Sequence, residues 1–279
     1  MDRVAGEGEL VVRVRAVGVT LPAIRRARNG EAPGGEVAGE VIGIGPGVSG
    51  WAVGDRVVAL PFGGAYADEV AVPAAFAERI PDDASFVRAV ALVRSGHVAL
   101  GVLAAAALRP GESVLVTAAA SGVGHLLVQA ARKGGAGRVV AVAGRGKADF
   151  LYGLGADEVR TYAGVAAGEP VDVVLDGAGG DVLPAALGAV RPGGRLIYFS
   201  SGGGTVAAYD LLAGAKTITG FAMAHFARDH PREYAEHGRR LWTMDLDVRV
   251  HARLPLAEAD RAHAIVEARE NRGKVVLVP

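Results

Sequence analysis

Cysteine is absent from all 279 residues, and this removes disulfide bridging, thiolate catalysis and every zinc site built on cysteine ligands. A charge excess is missing too. Lysine plus arginine number 30 and aspartate plus glutamate 30, so no bulk field draws the chain to nucleic acid or an anionic membrane. Aromatic residues make up only 5%. The aliphatic stretches are broken repeatedly by charge, glycine or proline, which argues against a membrane span. The opening Met1-Asp-Arg-Val lacks the layout of a secretory signal. A cytoplasmic protein with no nucleic-acid or membrane partner is therefore expected. What the chain does have is 51% hydrophobic content and 41 glycines, enough apolar material for one large or two modest cores.

The most informative stretch is Val114-Leu-Val-Thr-Ala-Ala-Ala-Ser-Gly-Val-Gly-His-Leu-Leu-Val-Gln129. Val114 to Val116 read as a strand buried on both faces, and Leu126, Leu127, Ala130 and Ala131 recur at helical spacing. Between them, Gly122 and Gly124 allow a sharp turn and close approach of a pyrophosphate to the first N–H groups of the helix. A glycine turn alone is weak evidence. The apolar run from Arg138 to Ala143 strengthens it, falling about where the next parallel strand of a βαβ unit belongs.

Along the chain, 9–19 alternates apolar and polar residues, and 36–44, 55–60 and 65–72 continue as short strands between glycine and proline turns, one of them Pro61-Phe-Gly-Gly. That predicts an antiparallel β-rich barrel or sandwich. A helix follows over 85–107, capped by Asp83 or Ser85. Strands at 113–117, 138–143, 158–161, 171–176, 195–199 and 217–221 then alternate with helices at 123–133, 147–154 and 182–189. Such repeated βα units predict an α/β fold with a doubly wound parallel sheet. Helices at 231–243 and 258–269 and strands at 248–254 and 274–278 close the chain. The expected division is 1–87 with 224–279 as the β-rich domain, and 88–223 as the dinucleotide-binding domain.

These motifs together carry a family resemblance. Gly8-Glu-Leu-Val-Val-Arg-Val-Arg-Ala-Val-Gly18, Gly35-Glu-Val-Ala-Gly-Glu-Val-Ile-Gly-Ile-Gly-Pro-Gly-Val48, Val53-Gly-Asp-Arg-Val57, Ala119-Ala-Ser-Gly-Val-Gly124, Leu154-Gly-Ala-Asp157, Val171-Asp-Val-Val-Leu-Asp-Gly-Ala-Gly-Gly180, Pro192-Gly-Gly-Arg195 and Gly273-Lys-Val-Val-Leu277 stand in one order over nearly the whole chain. In that order the chain resembles the zinc-free medium-chain dehydrogenases and reductases, in the quinone oxidoreductase (zeta-crystallin-like) and enoyl reductase branch. The resemblance implies a Rossmann-type domain and a GroES-like catalytic domain with a nucleotide bound between them, and commonly a homodimer formed through the cofactor domain. The amino-terminal strand and hairpin usual in the family are not seen before Leu10, so a shortened amino terminus is expected.

For the cofactor, the resemblance places Ala120, Ser121, Gly122, Val123 and Gly124 at the phosphates, with Gly177 and Ser200 at neighbouring strand ends. NAD-preferring sites of this shape end the second strand in an acid, whereas a 2′-phosphate needs cations. Here the strand ends in Ala143-Gly-Arg-Gly-Lys147. Arg145 offers a planar fork and Lys147 a mobile point charge, so NADPH is expected. Tyr162 stands where relatives place a tyrosine near the same phosphate. No metal is expected, because the seven histidines show no close metal-binding pairing beyond the poorly spaced His225 and His230.

At the reacting end, Thr20 occupies a position where relatives carry a polar group facing the nicotinamide, and Val98 one where they often carry threonine. His97, read as lying at the amino end of a helix, is a candidate proton donor, since histidine exchanges protons near neutral pH. A helix-terminal histidine bonded to backbone is the equal alternative. Tyr66 is a candidate polar tip for a substrate carbonyl, against the commoner role of a packing tyrosine. Two functions stay open: an NADPH-dependent, metal-independent reductase of quinones or α,β-unsaturated carbonyls, and a redox-silent relative performing a cyclisation, isomerisation or elimination in a natural-product pathway.

Overall fold

The structure, a computed structural model, describes residues 3–61 and 63–279. It divides into two compact units: Met1–Arg94 with Val248–Pro279, and Ser95–Asp247. In the first, β1 (Glu9–Gly18), β2 (Val37–Ile44), β3 (Arg56–Ala59), β4 (Glu69–Pro73), β5 (Ala77–Arg79), β12 (Val250–Pro255) and β13 (Lys274–Val278) join in one sheet. β1 is the hub, paired antiparallel with β2, β4 and β13. Its alternation puts Leu10, Val12 and Val14 into the core and Arg13 and Arg15 into water. Each of these buried side chains contributes about 1.5–3 kcal/mol. β12 and β13 run parallel, joined by α9 (Ala259–Glu267) as the crossover that parallel neighbours require.

Three elements of this unit differ from the sequence reading. β4 begins at Glu69, later than the expected start at Ala65, and β5 was not foreseen. Residues 21–28, read as a connection, form the helix α1 (Leu21–Arg28). Thr20 caps it, Pro22 sits in its first turn and Arg25, Arg26 and Arg28 in its last, where cations suit the helix dipole. The turn at Pro61-Phe-Gly-Gly includes Phe62, which lies outside the described residues.

The second unit is the α/β fold that the βα rhythm predicted. Its six strands are β6 (Ser113–Val116), β7 (Arg138–Val142), β8 (Glu158–Arg160), β9 (Val171–Asp176), β10 (Val190–Tyr198) and β11 (Thr217–Gly220), in the order β11-β10-β9-β6-β7-β8. Every pair is parallel. The chain enters at the centre, builds outward through β7 and β8, then returns to lay β9, β10 and β11 on the other side. Helices α3 (Gly124–Lys133), α4 (Ala148–Tyr152), α5 (Val182–Gly188) and α6 (Ala208–Ala213) make the crossovers. α6 was missed because Ala207 and Gly214 bound only six residues, too few for a readable apolar period.

The boundary between units falls inside α2 (Phe86–Ala106), whose start is capped by Ser85 Oγ accepting from Arg88 N–H at 3.1 Å. α2 is long and apolar enough to cross a membrane, yet 78% of its apolar window is buried within the protein. Helices α7 (Met223–Asp229) and α8 (Pro231–Thr243) belong to the second unit, although the sequence reading returned 224–247 to the first. Packing explains the difference. A Cβ at Gly96 would collide with Leu241 of α8, and one at Gly101 with the Phe221 ring, so these glycines let α8 and the segment before α7 seat on α2. Gln129 Nε2 and Oε1 also hold the Asp247 carbonyl (3.1 Å) and N–H (2.8 Å).

Candidate active site

In a doubly wound sheet the strand ends facing a ligand are those where the order reverses. Here that switch lies between β6 and β9, whose carboxyl ends carry the 117–124 turn and the 177–180 turn. The first turn is tightly specified. Ala118 adopts φ +51°, a left-handed conformation uncommon outside glycine. Gly124 is obligatory, because a Cβ there would collide with the Ala118 carbonyl and approach Ala119 Cα to 2.7 Å. Part of the glycine requirement thus comes from the turn's own backbone. Ser121 Oγ accepts from Gly124 N–H at 3.0 Å, and its carbonyl meets His125 Nδ1 at 3.0 Å. Ala120, Ser121, Gly122 and Val123 therefore run directly into the amino end of α3, as the motif predicted.

The second turn rests on a buried carboxylate that the sequence reading passed over. Asp176, fully buried at the end of β9, accepts from the Thr117 hydroxyl, from Ala178 N–H at 3.2 Å and from Gly179 N–H at 3.2 and 3.4 Å. Thr117 Oγ1 in turn accepts from Gly177 N–H at 3.0 Å and Ala178 N–H at 3.1 Å. A Cβ on Gly177 would lie 2.8 Å from the Phe199 ring, so packing also fixes that glycine. A glycine-rich loop after β10 interlocks with the turn: Gly180 N–H donates to the Gly203 carbonyl at 2.7 Å, and Ser200 Oγ accepts from Gly202 N–H at 2.9 Å. Ser200 is thus brought beside the turn holding Gly177. The signal for Thr117 and Asp176 was their place as polar residues at the ends of apolar strands.

Beside these turns, the loop after β7 carries Gly144-Arg-Gly-Lys147. Arg145 is exposed, and Gly146 takes φ +77°. Lys147 is only 9% exposed and its carbonyl accepts from Leu151 N–H at the start of α4. It is a packed residue, less free than the mobile point charge expected at this loop. Tyr162 opens a short turn after β8 and packs half-buried against the sheet core. Arg160, at the end of β8, is engaged by Glu158 and by the Val165 carbonyl.

The residues expected at the reacting end are distributed differently. Thr20 Oγ1 accepts from Ala23 N–H at 3.3 Å, so its side chain caps α1. Next to it, Gly18 leaves room for the fully buried carboxylate of Glu36, which is paired with buried Lys274. Burial pushes the Lys274 ammonium down in pKa while Glu36 pulls it back. Tyr66 OH meets His263 Nε2 at 3.2 Å; burial, and secondarily the charge of Glu36, hold the Tyr66 phenol well above its usual range. His97 lies mid-way along α2, not at a helix start, and is fully buried with its ring stacked on Tyr234 at 3.9 Å and 12°. That position corrects the helix-end placement on which both the donor reading and the backbone-bonded alternative stood. Val98 is 8% exposed on the same helix.

Comparison with known proteins decides the family. Residues 6–82 match the alcohol dehydrogenase GroES-like domain, and 154–277 match a domain described as zinc-binding dehydrogenase. A 2-haloacrylate reductase of Burkholderia is 31% identical over 98% of this chain and 92% of its own length. The chain belongs to the medium-chain dehydrogenase/reductase superfamily, in its quinone oxidoreductase and enoyl reductase branch. It is an enzyme of that kind. A phenolphthiocerol synthesis polyketide synthase of Mycobacterium marinum is 40% identical over 68% of the chain, but the match spans only 10% of that much longer protein. The Escherichia coli quinone oxidoreductase, solved in complex with NADPH, superimposes with a TM-score of 0.91 at 27% identity, covering 100% of this chain and 94% of the other.

The description of the matched domain names zinc. The chain has no thiolate to offer. Among the described residues no three histidine or acidic side chains gather closely enough to hold a metal ion.

Proposed function

We propose that this reductase draws on NADPH to reduce a quinone or an α,β-unsaturated carbonyl. The observation that carries the reading is the pairing of a specified glycine turn at the sheet's switch point with a cation, and no acid, in the loop of the adjacent strand. The residues fit a phosphorylated dinucleotide. Ser121 to Gly124 lead a diphosphate onto the amino end of α3, whose dipole favours negative charge. Arg145, exposed on the neighbouring loop, presents a fork suited to a 2′-phosphate. When bound, the nicotinamide would supply the hydride.

The protein's own part is to bind, orient and exclude water. Acceptors of the proposed class need no Lewis acid, because conjugation places the arriving charge on an oxygen that a hydrogen-bond donor can stabilise. Tyr66 keeps its proton, held there by burial, and we assign it as a candidate donor; Thr20 contributes by setting the geometry of α1. The small-molecule substrate and a homodimeric state are part of the same proposal, as is the assignment of the β-rich unit to substrate and the sheet unit to nucleotide.

The test is loss of nicotinamide absorbance on mixing the protein with NADPH and a panel of quinones and enones. Turnover with at least one acceptor is the expected result. Tight NADPH binding with no turnover on any acceptor defeats the hydride-transfer reading and favours a redox-silent relative.

A further inference from the structure

The glycine turn at β6 is the visible part of the nucleotide site, but the buried pair beneath it is chemically unusual. A carboxylate with no exposed surface costs free energy unless its lone pairs are filled. Asp176 fills them with the Thr117 hydroxyl and two backbone N–H groups of the next turn. Thr117 completes the arrangement by accepting from two N–H groups of that turn while donating to Asp176. The pair therefore joins the carboxyl ends of the two strands that flank the switch point and consumes the N–H groups of Gly177, Ala178 and Gly179. Gly179 is held at φ +63°, and Gly180 is tied onward to the 200–204 loop through Gly203.

We propose that Thr117 and Asp176 are positioning residues for the dinucleotide. They hold the 177–180 turn and the loop interlocked with it in the binding shape before any ligand arrives, so binding incurs no ordering cost there. The inference rests on the nucleotide reading above. It predicts that removing the Thr117 hydroxyl, which touches no ligand in this account, weakens nucleotide binding as well as local order.

Fluorescence titration of this 279-residue chain with NADPH tests this, alongside a melting curve for each variant. Thr117→Val is isosteric but takes the hydroxyl acceptor from Gly177 N–H and the hydroxyl donor from buried Asp176, while Ala178 N–H keeps the Asp176 carboxylate; it should raise the NADPH Kd about tenfold or more while a folded protein remains. Thr117→Ser keeps the hydroxyl and should restore binding. Equal affinity in wild type and Thr117→Val, or no rescue by serine, overturns the positioning role while leaving the nucleotide reading intact. Failure of the wild type itself to bind NADPH overturns both. Hydrogen exchange on the wild type supplies a second readout if Thr117→Val does not fold. The amides of Gly177, Ala178 and Gly179 should be protected without NADPH and little changed by it. Exposure of those amides until NADPH is added would contradict a preformed turn.

Discussion

At the scale of single residues, the site is governed by where a side chain is forbidden and where one is already occupied. Gly124 illustrates the first. Its missing Cβ leaves space for the Ala118 carbonyl, so Gly124→Ala should destabilise the protein by about 1–3 kcal/mol through overpacking, read by urea denaturation. Nucleotide affinity would fall with it, because the turn must shift to relieve the clash. Thr20 illustrates the second. Its hydroxyl accepts from Ala23 N–H, and Thr20→Ala should cost about 0.5–2 kcal/mol as a lost cap, with Thr20→Ser and Thr20→Asp close to wild type in thermal unfolding. A stability loss of the same size in Thr20→Asp would show that the cap is not the reason. His97, buried against Tyr234, is placed by the sequence at the amino end of a helix as a proton donor, and its ring stack between α2 and α8 has no local signature.

At the scale of elements, the pairing of the central strands is reinforced by a polar staple near their amino-terminal ends. Asp172 at the start of β9 accepts from Ser113 N–H (2.8 Å) and Oγ (2.6 Å) on β6, and from Arg191 Nε within β10. Burial alone would raise its pKa, but the Ser113 bonds and the Arg191 guanidinium outweigh it and bring the carboxyl down to about 2. A carboxylate whose folded pKa is depressed stabilises the fold above its unfolded value and loses that contribution as pH falls toward the folded value. Asp172→Asn should therefore be less stable than wild type at pH 7. The gap should narrow as pH falls from about 4 toward 2, the interval between the unfolded carboxylate value and the folded one. A pH-independent gap measured by urea denaturation would argue that shape, and not charge, holds the three strands. The strands themselves were readable because buried parallel strands are continuous apolar runs. Short pieces such as β5 and α6 escaped because three to six residues hold too little of a period.

At the scale of the whole molecule, the proposed preference for NADPH turns on the charge of one loop. Arg145→Ala should weaken NADPH binding by roughly 10–100-fold, the scale of a charge-assisted hydrogen bond, and leave NADH almost unaffected. Parallel titrations with the two coenzymes read this directly, and equal losses for both would remove Arg145 from the 2′-phosphate. Lys147, packed at 9% exposure, should contribute less to the discrimination than its sequence position suggested. The sequence by itself determined the βα rhythm, the central glycine turn and the absence of a thiolate, because periodicity, glycine and composition are local properties that need no folded context. Only the tertiary structure decided that Asp176 and Thr117 lock two strand ends together, and that 221–243 pack on α2 through Gly96 and Gly101. Each of those is a contact between residues far apart in the chain or a backbone geometry, and no period or motif along the chain encodes which distant partner a buried group will meet.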